Sequence, residues 1–88
     1  MIIVVQPTLF TRDTKIVLLD DEMQTIKSVF KAPVNELSVK IPELCKDSSV
    51  KKVLLIGNKN FTSKIGEAVK SNAISKYSLD IEIEYANK

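Results

Sequence analysis

Histidine and tryptophan are missing from this 88-residue chain, which has one cysteine, Cys45, one arginine, Arg12, and two glycines. Without histidine the commonest general base is gone, and with it every triad or dyad built on imidazole. The ordinary zinc patterns need histidine or several cysteines, so no structural metal is expected. A lone cysteine closes no internal disulfide, and with no export signal it points to the cytoplasm. The longest apolar stretch near the start, Ile2-Ile3-Val4-Val5, is short and has no basic lead-in. It is expected to be neither a signal peptide nor a membrane span.

What is present suits a small core. Apolar residues make up 44% of the chain, an ordinary globular share, and 88 residues leave room for one domain, 1–88. A chain of this size buries only about 60 to 65% of the surface its unfolded form exposes, so it gains from extra burial against a partner. The net charge of +2 predicts no strong attraction to nucleic acid by itself. The charge is nevertheless uneven: Lys46, Lys51, Lys52, Lys59, Lys64, Lys70 and Lys76 face only Asp47 and Glu67 in that stretch. Acidic residues gather at Asp20, Asp21 and Glu22 and again at Asp80, Glu82 and Glu84. All basic residues but Arg12 are lysine, and Ile and Asn are plentiful, the bias of AT-rich coding DNA in low-GC bacteria and their phages. That bias supplies lysine clusters without any selection for binding.

Periodicity divides the chain into seven segments. Residues 2 to 5 are continuously apolar and end at Gln6-Pro7, the pattern of a strand buried on both faces. A polar connection through Thr11, Arg12 and Asp13 leads to the β-branched run Lys15-Ile16-Val17-Leu18-Leu19. The acidic triplet then turns the chain into a third strand, where Ile26, Ser28 and Phe30 alternate with Lys27, Val29 and Lys31 before Ala32-Pro33 ends it. These two runs form an antiparallel hairpin with the triplet near its tip. Val34, Leu37, Ile41, Leu44 and Cys45 have helical spacing with Asn35 as N-cap, predicting a helix over 35–46 that kinks or restarts at Pro42. Leu37, Val39 and Ile41 fit a strand's inner face as an alternative.

Val53-Leu54-Leu55-Ile56, opened by Lys51-Lys52 and closed by Gly57-Asn58, predicts a central parallel strand. Asn60 then caps a helix over 60–72 whose inner face is Phe61, Ile65, Ala68, Val69 and Asn72. Gly66 inside that helix marks a close helix-on-sheet contact. Last, Leu79, Ile81, Ile83 and Tyr85 alternate with Asp80, Glu82 and Glu84, a strand over 79–85 with one buried and one wet face. The expectation is an α/β fold: a mixed five-stranded sheet in the order β-β-β-α-β-α-β, with residues 2–5 and 53–56 central and both helices covering sheet faces.

Three leading strands followed by helix, strand, helix and strand resemble the core of the ribonuclease H-like superfamily, which includes RuvC-type resolvases, their YqgF-type relatives and the actin-like ATPases. The likeness is topological and covers nearly the whole chain. It implies catalytic acids on the first strand, at the end of the fourth and on a helix after the fifth. Here the first strand reads Ile2-Ile3-Val4-Val5-Gln6, the fourth ends Ile56-Gly57-Asn58, and the sequence stops at Lys88. Two-metal hydrolysis needs clustered carboxylates to hold cations about 4 Å apart. The resemblance therefore implies a shortened, catalytically empty member.

Candidate sites are few. Gly57-Asn58-Lys59-Asn60-Phe61-Thr62-Ser63-Lys64 joins a strand end to a helix start, where amide N–H groups can receive an anion. Asn58, Lys59, Asn60, Thr62, Ser63 and Lys64 are the candidate contacts for phosphate or nucleic acid. The loop lacks the second glycine and the Lys-Ser/Thr ending of a nucleotide-binding loop, and a plain capped turn accounts for the same residues. Asp20, Asp21 and Glu22 read as a solvated hairpin tip rather than a cation site, and Cys45 as a buried thiol. No cofactor is expected. The leading expectation is a non-enzymatic accessory or adaptor protein of phage or prophage origin, acting through protein contacts and as a homodimer. The alternative is a nucleic-acid-binding module using Lys51, Lys52, Lys59, Lys64 and Lys70.

Overall fold

The apolar runs and the two helical periods assemble as expected in kind and order. The computed structural model describes residues 1–7 and 13–86; Thr11 and Arg12 of the predicted connection lie outside them. The elements are β1 (Ile2–Val5), β2 (Asp13–Leu19), β3 (Ile26–Pro33), a single 3-10 turn (Val34–Glu36), α1 (Leu37–Ser48), β4 (Lys52–Ile56), α2 (Lys59–Tyr77) and β5 (Glu82–Ala86). They form one mixed sheet in the order β3-β2-β1-β4-β5. β1 pairs antiparallel with β2 and parallel with β4, and β4 pairs parallel with β5. The expected antiparallel hairpin is β2–β3, closed by a turn in which the Asp20 carboxylate accepts the Gln24 amide at 2.9 Å.

β1 is the central strand, with β4 beside it. β3 and β4 point the same way, and the crossovers β3-α1-β4 and β4-α2-β5 both step in the same direction across the sheet. Right-handed crossovers then place both helices on one face. Their contact is direct: Asn72 of α2 donates a 2.8 Å hydrogen bond to the Ser38 carbonyl of α1. Ile3, Val5, Ile16, Val53 and Leu55 from the sheet meet Leu37, Ile41, Val69 and Ala73 from the helices, all fully buried. The two-sided burial expected of the apolar runs holds for Ile2, which is buried on the open side, and is corrected for the others. Val4, Leu54 and Ile56 are half-exposed, because no described helix lies over their side of the sheet.

Pro42 neither restarts nor ends α1. A proline there deprives the Ser38 carbonyl, four residues back, of its helical donor. The Asn72 side chain supplies the missing N–H from the neighbouring helix, and the Pro42 ring is buried against the core. Asn35, the expected N-cap, lies inside the preceding 3-10 turn, and α1 begins at Leu37 with no side-chain cap.

Further boundaries differ from expectation in β2, β3, α2 and β5. Asp13 belongs to β2, and β3 continues through Pro33, as an edge strand permits. A bulge at Lys27 pairs Ile26 with Leu19 rather than keeping it in line with Ser28 and Phe30, leaving Ile26 62% exposed. α2 is capped by Asn58 instead of Asn60 and runs on to Tyr77, stopping at Ser78 in the left-handed region. β5 begins at Glu82 instead of residue 79, because only there does the chain come alongside β4, where the Glu82 amide donates to the Lys51 carbonyl.

The inner face of α2 is also rotated by one position from the expected stripe. Thr62, Gly66, Val69 and Ala73 are its buried residues, while Phe61, Ile65, Ala68 and Asn72 are half-buried. Small side chains let the helix sit close on the sheet: a Cβ at Gly66 would stand 2.1 Å from the Tyr85 hydroxyl and 3.1 Å from Ile83.

Candidate functional site

The strand-to-helix junction uses its polar groups internally. Gly57 has φ 141°, a value that favours glycine, and its amide donates to the Ala86 carbonyl. Asn58 is extended, and its side-chain oxygen accepts the Asn60 amide at 2.9 Å. The Phe61 and Thr62 amides both donate to the Asn58 carbonyl, at 3.1 and 2.9 Å. The Thr62 hydroxyl, buried, donates to that carbonyl as well, and the Ser63 hydroxyl donates to the Asn60 carbonyl. An anion here would have to displace the Asn58 side chain from the amide it caps.

The lysines are not gathered around this junction. Lys59 and Lys64 are exposed, but at 100° per residue they stand about 140° apart around α2. Lys70 returns to the Lys59 side only about 16 Å further along the axis. Lys51 and Lys52 lie at the start of β4, and the strand's length separates them from Lys59. Lys52 is bound to Glu84 by a 3.0 Å ion pair, which holds its ammonium pKa above the usual lysine value.

The remaining reactive groups are also engaged or shielded. Burial pushes the Cys45 thiol up to about 12, far from the thiolate that nucleophilic chemistry requires at neutral pH. Amide donation from Gln24, and then from Thr25, holds the Asp20 carboxyl below its usual value, so this acid builds the hairpin turn. Among the described residues, no three potential ligands are close enough to hold a metal ion. No helix among them is long and apolar enough to cross a membrane.

The feature that sequence reasoning missed is a face of the sheet that no described helix or strand covers. Register places Val4, Val17, Leu19, Val29, Leu54 and Ile56 together on it. Val29 is 49% exposed and the others are half-exposed. Toward the carboxyl end of β1 this face opens into a depression of about 430 Å³ bordered by Val4, Val17 and Ile56 with Gln6, Asp13 and Lys15. Charges flank the apolar stripe. Lys15 and Lys31 are directly opposite one another on β2 and β3, whereas Glu82 and Glu84 line β5. No local signal in the sequence marks this arrangement: it follows from the strand order, in which two crossovers stepping the same way put both helices on the other face.

Neither family models, curated proteins nor solved structures provide a match to this chain.

Proposed function

We propose that this chain is a non-enzymatic accessory protein that acts through protein contacts made by the uncovered face of its sheet. The observation that carries the reading is the contiguous apolar stripe of Val4, Val17, Leu54 and Ile56 on the side opposite both helices. Contiguous exposed apolar surface rimmed by charge is the usual mark of a macromolecular interface. The order of three strands, helix, strand, helix and strand supports kinship with ribonuclease H-like domains. On that reading the chain is an emptied relative, with apolar residues along its first strand and Gly57-Asn58 after its fourth. Its lysine and isoleucine bias fits a phage or prophage of a low-GC bacterium.

The test is capture from native extract on two baits, the unchanged chain and Val17→Asp, with circular dichroism to verify that both are folded. The expected result is a protein, this chain's own copy included, retained by the first bait and lost by the second. A salt-dependent gel shift runs alongside. A complex with nucleic acid that weakens steeply as salt rises, with no protein lost on Val17→Asp, would replace this reading with the nucleic-acid one.

A further inference from the structure

We propose that the occupant of the open sheet face is a second copy of this chain, stacked face to face about a two-fold axis parallel to the strands. The proposal rests on the protein-contact reading above. Its own argument comes from the charges on either side of the apolar stripe.

Lys15 and Lys31 are like charges directly opposite on neighbouring strands, an arrangement that destabilises the pair of strands that carries it. Among the described residues neither has an acidic side chain within ion-pair distance. Asp13, at the start of β2, is one same-face position from Lys15, about 7 Å, and offsets part of that charge, which leaves Lys31 the less compensated of the two. At the other edge Glu82 and Glu84 share Lys52, whose ammonium bonds to Glu84. The β2–β3 edge of this face thus carries two lysines without an ion pair, and the β5 edge carries two glutamates against the single Lys52, a net charge of opposite sign.

A symmetric dimer brings a surface against itself, so its axis decides which edges meet. A two-fold running across the strands would lay lysines on lysines. One running along the strands, over β1, exchanges the edges: β3 of each copy covers β5 of the other and β2 covers β4, so Lys31 comes to the Glu84 end of β5 while Lys15 lies over Ile56. The lysine rung lies level with Ala86, one same-face position beyond Glu84, or about 7 Å. A flexible lysine stem spans that offset. The apolar residues of β1, β2 and β4 then pack around the axis as the inner layer of a sheet sandwich.

Five strands about 4.8 Å apart and about five residues long give a footprint of about 400 Å² on each copy. A standard stable interface uses about 800 Å² per partner, so this dimer is reversible and concentration-dependent.

Sedimentation equilibrium from low micromolar to millimolar chain tests the proposal, with a thermal melt confirming that each variant is folded. The unchanged chain is expected to pass from monomer to dimer, and Val17→Asp to weaken dimerisation at least about tenfold. Lys15→Glu with Lys31→Glu makes both edges negative, while Glu82→Lys with Glu84→Lys makes both positive. Each double variant alone is expected to lose about tenfold in self-association, and an equimolar mixture of the two to recover it as a heterodimer. A chain that stays monomeric at millimolar concentration overturns the proposal, as does a mixture that fails to recover. A monomeric chain whose Val17→Asp bait still loses a foreign protein from native extract overturns self-association and leaves the protein-contact reading intact. If Val17→Asp changes neither measurement, both fall.

Discussion

Along the central strands β1 and β4 the two faces of this sheet present the same aliphatic residues to different surroundings, while Lys15, Lys31, Lys52, Glu82 and Glu84 all stand on the open face. Ile3, Val5, Val53 and Leu55 are buried beneath the helices, while their sequence neighbours Val4, Leu54 and Ile56 point the other way and keep partial contact with solvent. The aliphatic content of β1 and β4 does not distinguish the sides. The difference lies in the crossovers, which both deliver their helices to one face. An apolar run is usually taken to mean burial on both sides. Here it pairs one core with one surface fit for docking.

The largest test of that contrast compares adjacent leucines on β4. Leu55→Ala should cost about 2 to 5 kcal/mol by urea denaturation, because it opens a cavity under the helices. Leu54→Ala removes the same atoms from the open side and should cost about 1 kcal/mol or less at concentrations where the chain is monomeric. Equal losses would mean that both faces are covered.

A second test concerns how the covered face holds α1. Asn72→Ala leaves the Ser38 carbonyl without its donor and should cost about 1 to 3 kcal/mol. In a Pro42→Ala background the chain supplies its own N–H to Ser38, so the added cost of Asn72→Ala should fall well below 1 kcal/mol. Strict additivity between the two substitutions would show that Asn72 does not stand in for the proline's absent donor.

A third asks how closely α2 sits on the sheet. Gly66→Ala gains about 1 kcal/mol of helix propensity but drives a methyl into the Tyr85 ring and Ile83. A net loss of about 1 to 2 kcal/mol is expected. Pairing it with Tyr85→Ala should recover part of that loss by freeing the space, and a stabilised single variant would show that the half-exposed Tyr85 ring swings clear of the helix.

Titration separates the core from the surface by direction. The Cys45 thiol keeps its proton in the fold to about 12, whereas an exposed thiol ionises near its ordinary value of 9.0. The unfolded chain therefore releases this proton first as pH rises. The Cys45 contribution is complete below about pH 9 and declines between 9 and 12. Cys45→Ala should flatten that alkaline decline in chemical-denaturation profiles. Asp20, exposed at the hairpin tip, has the opposite sense. Its depressed pKa stabilises the fold above the ordinary carboxyl value of 3.8, and this is lost as pH falls below it, a loss that Asp20→Asn should remove.

The smallest effect lies on neither face. Ser49 and Ser78 end the two helices in the left-handed region, at φ 55° and 54°. Glycine adopts that conformation without a Cβ penalty, so Ser78→Gly should raise stability by about 0.5 to 1 kcal/mol in the same denaturation experiment.

Much of the fold was legible because the signals were local. The run Val53-Leu54-Leu55-Ile56 closed by Gly57 reads as a strand, and Gly66 marked the close approach to the sheet before any partner was known. Phe61 shows why other features were not legible. Its bulk drew the inner stripe of α2 one position away from Thr62, Gly66, Val69 and Ala73, whose small size is what lets the helix approach. Asn58 and Asn60 are chemically equal caps, and only the extended backbone at Asn58 selects between them. Of the candidate contacts, Asn58, Asn60, Thr62 and Ser63 proved to be tied into the start of α2, while Lys59 and Lys64 diverge around it.

By itself the sequence determined the kinds of element and their order, since period and turn chemistry act over a few residues and need no distant partner. The sidedness of the sheet, the rescue of Ser38 by Asn72, and the meeting of Lys15 with Lys31 depend on which segments lie next to one another. Tertiary structure decided these, because strand pairing and the handedness of crossovers bring together residues that no local pattern relates.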